Sequence, residues 1–376
     1  MKFEKLDAKA YRAFEQKNPY GNLYQMAERA ELRRKMGWLA ELWGVTDDGK
    51  IIAGCLVLSK NGTMMVPMGA VLDWSNLKLV EFWLKNMLEL AKTTKNMTFE
   101  VFPPLKLSIR DVHGEIKTEI NQTAIFELFQ KYGFSYMGRT TKIENKANRW
   151  ITSKDLSKFK TVEELRASYK KNVRNKLRKC APVIEILEVR DDDGLAKVAH
   201  AIEGSNEKNG VRSRNLTYYQ NIRDAWGDQV HFVLARKKDD KATVAGRVIF
   251  DHPNETVSFI SGTVQKYRQL NAMTVLQNDL LTKCFEKGIK RVNFYGIEGD
   301  FSEHNHLLEF KSGFDVNVEE YIGGFRYVLN PGKYQLARAK RLAYRVGSKL
   351  VRSTRDLAKH MGDRRTKIVR KLDVPE

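Results

Sequence analysis

ATVAGRVIFDHPNETVSFISGTVQKYRQLNAMTVLQNDLLTKCFEKGIKRVNFY, residues 242–295, carries the order of patterns on which the fold turns. Ala242 to Phe250 and Thr256 to Gly262 are rich in β-branched and aromatic residues and flank His252-Pro253-Asn254, so they read as a hairpin. From Asn271 to Lys287 the apolar residues recur at helical spacing, and Arg291 to Tyr295 returns to strand composition. Upstream, a helix over 161–180 precedes a strand at Val183 to Val189. Helices over 194–208 and Leu216 to Trp226 then lead to a strand at Val230 to Ala235.

The N-terminal third repeats the scheme. An amphipathic helix is expected over Leu23 to Lys35. Leu42 to Val45 and Ile51 to Leu58 form a hairpin around Asp47-Asp48-Gly49, since Asp-Gly accepts the positive φ of a tight turn. A helix from Leu77 to Lys92 buries Leu79, Phe82, Trp83, Met87, Leu88 and Leu90, and precedes a strand at Met97 to Phe102 that Pro103-Pro104 ends. Helix, hairpin, helix, strand in both halves implies a duplicated α/β (α+β) fold.

With 376 residues, 42% hydrophobic and 30% charged, the chain has the composition of a globular protein, and its length favours two domains. No apolar run approaches the ~20 residues of a membrane-spanning helix. The opening MKFEKLDAKAYRAFEQ intersperses acids and lysines, so a cytoplasmic protein is expected. Cys55, Cys180 and Cys284 are widely separated, with no CxxC pair, and predict neither a disulfide framework nor a metal site. The net charge of +20 favours polyanionic partners. Residues 333–376 hold fourteen Lys and Arg against four Asp and Glu, with Leu342, Val346 and Leu350 at helical spacing. They read as a basic helical tail, either a solvated helix or an electrostatic foot on anionic lipid or RNA.

Eight segments together resemble the Fem family of peptidoglycan-bridge aminoacyltransferases. They are NLYQMAERAELRRKMGW (22–38), MVPMGAVLDW (65–74), SYKKNVRNKLRKC (168–180), RSRNLTYYQNI (212–222), GTVQKYRQLNAMTVLQ (262–277), NFYGIEGDF (293–301), LLEFKSGF (307–314) and EEYIGGFRYVLNP (319–331). The resemblance implies two acetyltransferase-like (GNAT-like) domains with mixed sheets flanked by helices: 1–150 with 315–332, and 151–314, followed by the tail 333–376. Where many members carry a long helical arm, this chain has only Arg236 to Lys241, a hairpin turn.

It also implies the reaction, aminolysis of an aminoacyl-tRNA ester by a stem-peptide amine of lipid II or UDP-MurNAc-pentapeptide. An activated ester needs alignment, charge stabilisation and a proton route rather than a nucleophilic triad. That agrees with scattered histidines and no G-x-S-x-G elbow. On the family pattern Lys311 stabilises charge at the carbonyl or the neighbouring ribose-phosphate, and Tyr267, a second catalytic candidate, stands with Arg268 where strand turns into the helix 271–287. Arg214, Tyr218 and Lys35 meet the acceptor's pyrophosphate, while Arg268 and Tyr295 line the cleft.

Lys170, Lys171, Arg174 and Arg178 are the tentative tRNA contacts, otherwise a solvated helix face. No glycine occurs in Gln265 to Ala272, where acetyltransferases hold pyrophosphate, so neither coenzyme A nor another cofactor is expected. Phe102 stands where relatives carry an aspartate; Glu100 substitutes imperfectly and Asp111 is too distant to place, so proton transfer within the substrates is favoured. A monomer, peripheral at the inner membrane face, completes the expectation. The competing readings are a transferase acting on phosphatidylglycerol or a protein N-terminus, and a non-catalytic RNA-binding protein.

Overall fold

The structure is a computed structural model that describes residues 1–143, 146–208, 214–340 and 342–343, with side chains of 206–208 left aside. The first half runs β1 (Lys2–Lys5), α1 (Ala8–Glu15), α2 (Ala27–Lys35), β2 (Leu39–Asp47), β3 (Lys50–Lys60), β4 (Thr63–Val66), β5 (Val71–Leu72), α3 (Leu77–Lys92) and β6 (Thr98–Val101). Asn76 caps α3 by accepting from the Leu79 amide, and Trp83, Leu84 and Met87 bury the helix face against the sheet. The chain continues through β7 (Lys106–Arg110), β8 (Ile116–Glu119), α4 (Thr123–Lys131), β9 (Ser135–Tyr136) and β10 (Trp150–Asp155).

The second half contains α5 (Val162–Ala167), α6 (Lys171–Cys180), β11 (Ile184–Val189), α7 (Asp192–Lys208), α8 (Leu216–Trp226), β12 (Val230–Lys237), β13 (Thr243–His252) and β14 (Glu255–Thr263). It ends with α9 (Ala272–Glu286), β15 (Arg291–Gly296), α10 (His306–Ser312), β16 (Asn317–Tyr321) and β17 (Phe325–Val328). A helix follows over 331–340, its start fixed by Asn330, which accepts from the Lys333 amide. Leu342 is exposed; Val346 and Leu350 lie outside the described residues. The helix expected over 161–180 is two helices. Between them Lys170 turns its amide to the Gly313 carbonyl at 2.9 Å, and Ser168 accepts from Lys154 at 3.0 Å.

Two sheets carry the architecture. The first has the order β1-β2-β3-β4-β6-β17-β9, with β5 on β3; the second is β11-β12-β13-β14-β15-β10-β16-β7-β8. Each contains an antiparallel meander, a crossover helix and a returning parallel strand, β4 with β6 across α3 and β14 with β15 across α9. Lys106–Arg110, Ile116–Glu119 and Asn317–Tyr321, expected in the first unit, are strands of the second sheet; of the returning segment, Phe325–Val328 joins the first.

Buried charge explains that placement. On β16 Glu319 and Glu320 point to opposite faces, as strand neighbours must. Glu319 meets Arg291 of β15 at 2.5 Å, Lys106 of β7 at 3.2 Å and Ser153 of β10 at 2.7 Å. Glu320 meets Arg149, Arg110 and Arg139 at 3.3, 3.2 and 2.7 Å. Burial raises the Glu319 carboxyl, but Arg291 first and Lys106 after it outweigh burial and hold it down to about 2.

The halves are latched together. His252 accepts the Asn254 amide on Nδ1, so its Nε2–H donates to buried Glu15 at 2.9 Å. Asn254 donates to the carbonyls of Asn18 and Gly21. No helix among the described residues is long and apolar enough to cross a membrane.

Candidate functional site

Helices α2 and α8 come from different halves and pack together: Leu23, Met26 and Leu32 meet Tyr219, Ile222 and Trp226, and the Trp226 indole N–H points at the Met26 sulfur at 3.4 Å. Beside this seam lies a cavity of about 410 Å³ lined by Arg29, Arg33, Asn148, Arg214, Tyr218 and Tyr295 among others. Arg29 and Arg33 are four apart and share the inner face of α2. Arg29 lies over the Tyr24 ring at 4.6 Å and Arg33 over Trp38 at 5.3 Å.

Neither guanidinium has a carboxylate partner among the described residues, and the buried Nε of each, like Asn148 Nδ2, has no acceptor. Burial, and after it the neighbouring Arg29 charge, pushes Arg33 down to about 10. Arg214 stacks over Tyr218 at 4.9 Å, and burial raises that phenol. A concave wall with three guanidiniums, and no acid paired to them among the described residues, suits an anion.

The second cavity, about 440 Å³, opens at the start of α9 and is lined by Lys170, Lys176, Thr263, Arg268, Asn271 to Thr274, His306, Glu309, Phe310 and Gly313. Asn271 enters α9 in the left-handed region, φ 48°, without a side-chain cap, so first-turn amides stand at the cavity wall. Gly313 is needed at the seam of α10 and α6, because a Cβ there would meet the Val173 Cγ2 at 2.5 Å.

Between the cavities stands the end of β15. The strands β14 and β15 pair only at Thr256 with Val292 and Val257 with Asn293, and then part. Into that opening project Phe259 and Ile260 of β14 and Tyr295 of β15, which line the first cavity. Tyr295 takes φ 67°, and its amide is held by Asn293 Oδ1 at 2.8 Å. Its hydroxyl meets that of Tyr24, across the halves, at 2.9 Å. Lys311 of α10 donates to the carbonyls of Tyr295 and Gly296 at 3.1 and 2.9 Å. Burial, then the Arg247 charge, pushes its amine down to about 7.

The fold thus brings Arg214, Tyr218 and Tyr295 into one cavity and Lys170 and Arg268 into the other, with Lys311 between them. Lys311 is buried and turned to backbone carbonyls. Tyr267 is half-buried against the core beside α9, with Lys266 over its ring, and lines neither cavity. Lys35 is exposed and paired with Glu31 at 3.4 Å, away from the cavity its helix lines. Lys171 and Arg178 are exposed on α6, and Arg174 donates to the Ala167 carbonyl at 2.7 Å.

Glu100 lines neither of these two cavities. It is buried against Lys146 and Arg326, on a separate cavity floored by the first sheet. Phe102 is buried with Tyr24, Met68, Ile151 and Tyr321. Arg29 and Arg33 were missed; the signal was available, since positions 29 and 33 lie on the face of α2 that also holds Ala30. Among the described residues no group of His, Cys, Asp or Glu could hold a metal ion.

The chain is 25% identical over 407 residues to the aminoacyltransferase FemB of Staphylococcus epidermidis, covering 89% of this chain and 97% of that one. It is 23% identical over 421 residues to FemA of the same species, covering 90% and 98%. A crystal structure of FemX superposes with a TM-score of 0.76 at 18% identity, over 89% of this chain and 99% of that one. A tandem GNAT protein from the clavulanic acid biosynthesis pathway superposes with 0.54 at 9% identity, over 88% and 99%. These likenesses identify the fold as two GNAT-like units. The FemAB family profile matches residues 6–238 and 236–341, and the chain therefore belongs to the FemAB family, a family of aminoacyltransferases.

Proposed function

We propose that this protein moves an amino acid from an aminoacyl-tRNA to an amine on the stem peptide of a peptidoglycan precursor, lipid II or UDP-MurNAc-pentapeptide. The observation that carries the reading is the pair of basic cavities, one lined by Tyr295, whose carbonyl Lys311 holds, and the other by Phe310, next to Lys311 in the chain. The acceptor's pyrophosphate occupies the interdomain cavity, against Arg29, Arg33, Arg214 and Tyr218. The 3′ end of the tRNA enters the cavity at α9, where Lys170, Lys176 and Arg268 receive its phosphates.

The acceptor amine attacks the ester carbonyl, the C–N bond forms, the C–O bond to ribose breaks, and the ribose oxygen leaves with the amine's proton. Protein groups align the two reactants and stabilise the negative charge that develops on the carbonyl oxygen. Lys311 supplies a cation in a dry site, where charge counts for more than in water. No carboxylate base is required, which fits Phe102 in its apolar setting and Glu100 in its ion pairs. Coenzyme A has no part: the turn at Gln265–Leu270 presents side chains, Arg268 among them, where a glycine loop would present amides.

Incubation with radiolabelled Ala-, Ser- and Gly-tRNA against both acceptors tests the reading. Label is expected on one acceptor; label on neither overturns it.

A further inference from the structure

Another cavity, of about 160 Å³, lies between the halves and is lined by Tyr24, Lys106, Glu255, Arg291, Asn293 and Tyr295 among others. It shares Leu23 and Tyr295 with the basic interdomain cavity and no lining residue with the cavity at α9, so it adjoins the acceptor's side of the molecule. Tyr24 and Tyr295 stand at the shared wall, their rings within 10° of parallel and their hydroxyls 2.9 Å apart.

The charged groups here are tied in a row. Lys106 of β7 meets Glu319 at 3.2 Å, Glu319 meets Arg291 at 2.5 Å, and Arg291 Nε donates to Glu255 at 2.8 Å. Asn293 fixes the last of them: its Nδ2 donates to both Glu255 oxygens at 3.1 Å, while its Oδ1 accepts the Tyr295 amide at 2.8 Å. Two cations and two carboxylates balance, so this cavity, unlike the basic one, favours neither a bare anion nor a bare cation. Arg291 is taken up by its two acids. Capacity remains at the ends of the row. The Lys106 ammonium has three hydrogens and meets Glu319 alone among the described residues, with its side chain 30% exposed. Glu255 Oε1 accepts from Asn293 alone among them, and a carboxylate oxygen can take two bonds. A cationic donor and a carboxylate acceptor in one cavity match the carbonyl oxygen and the N–H of a peptide residue. The size agrees: an apolar cavity of about 150 Å³ holds one benzene, so this one admits one small residue.

We propose that this cavity is a subsite for the acceptor's stem peptide and takes a residue on the carboxyl side of the reacting amine, its carbonyl or terminal carboxylate oxygen on Lys106 and its N–H on Glu255. The inference rests on the placement of the acceptor's pyrophosphate against Arg29, Arg33 and Arg214. With the pyrophosphate in one cavity and the far end of the peptide in the next, the amine between them is confined near Tyr295, where β14 and β15 part and Lys311 holds the β15 carbonyls. Anchoring the acceptor at two points aligns the amine for attack. The aminoacyl group is a poorer occupant. Its one carbonyl is the group under attack, which leaves Lys106 without an acceptor, and it arrives from a cavity that shares no wall with this one.

The test is calorimetric titration of the full chain with UDP-MurNAc-pentapeptide and with the same nucleotide carrying a peptide truncated after the amine-bearing residue. The wild type is expected to bind the full acceptor about tenfold tighter, the order of one hydrogen bond to a charged group. Lys106→Gln is expected to bind both alike, at the affinity the wild type has for the truncated one, and Lys106→Arg to keep most of the preference. Arg33→Ala is expected to weaken both acceptors equally and leave their ratio unchanged. Equal affinity of the wild type for the two acceptors overturns the inference, whether or not Lys106→Gln folds, and so does an undiminished preference in Lys106→Gln. Failure of the wild type to bind either acceptor overturns the placement of the pyrophosphate instead.

Discussion

The two halves use one arrangement of strands and a crossover helix, and they part where the parallel strand returns. In the first half β4 and β6 pair in parallel from Thr63 with Thr98 to Val66 with Val101. The pairing continues beyond the strands, Phe102 N–H to the Val66 carbonyl and Gly69 N–H to the Phe102 carbonyl, each at 3.0 Å. Phe102 fills what opening remains. In the second half β14 and β15 separate after two pairs, and Tyr295 and Lys311 occupy the gap. Paired backbone at a closed joint leaves little for a ligand to meet; an opened joint leaves side chains free to line a cavity, as Phe259, Ile260 and Tyr295 do. The closed half still contributes, through Arg29, Arg33 and Tyr24, one wall of its neighbour's site.

The second half also differs in what holds it together. Its sheet buries Glu319, Glu320 and Glu255 beside half-buried Arg291, whereas the first, Glu100 apart, packs Trp83, Phe99 and Phe129 around an apolar core. Acid should therefore separate the halves. Glu319 is held at about 2 against an ordinary 4.5, so its stabilisation is complete above about 4.5 and is lost as pH falls towards 2. The loss is up to roughly 3 kcal/mol. Hydrogen exchange on lowering pH should reach β10, β15 and β16 before β3 and α3; simultaneous opening would erase this distinction between the halves.

The next effect is on chemistry. Lys311→Met should lower transfer about 100-fold, ~2.7 kcal/mol, with the melting temperature nearly unchanged. Lys146→Met, at the ion pair of the closed half, should leave transfer within about twofold, as expected for a group remote from the transition state. Equal losses in the two variants would mean that the open joint is not where the reaction occurs.

A smaller effect is expected at the shared wall. Arg33→Ala should raise the KM for the acceptor about tenfold, ~1.4 kcal/mol, without lowering thermal stability, because a half-buried cation with no ion-pair partner contributes binding rather than folding energy. A lowered melting temperature with unchanged KM would make Arg33 structural. The smallest is electrostatic: Arg268→Ala should reduce the salt dependence of tRNA binding by about one phosphate contact, and an unchanged slope would take the residue out of the RNA path.

Elements with strong local signals were legible in the sequence. Leu77–Lys92 and Leu216–Trp226 have the bounds their periodicity gives, and the hairpins around Asp48-Gly49 and Pro253-Asn254 are in place. The break at Ser168–Lys170 was not legible, since it depends on Gly313 and Lys154, both distant in sequence. Within the site, Arg214, Tyr218, Arg268 and Tyr295 reach the cavities. Lys35 does not, because α2 turns Arg29 and Arg33 inward and leaves position 35 to solvent.

What the sequence determined by itself is whatever is written in short-range pattern: the doubled order of elements, the excess of positive charge, and the motifs that mark the family. What only the tertiary structure decided is where charge is left without a partner. A run of arginines and lysines reads alike whether each meets an acid or not, because partners such as Glu319 and Arg291, or Glu100 and Arg326, are set by sheet register rather than by sequence distance. Only folding reveals that Arg29, Arg247 and Lys311 are buried, and Arg33 half-buried, with no acid in ion-pair contact among the described residues, since burial and pairing are properties of the packed interior and its low dielectric.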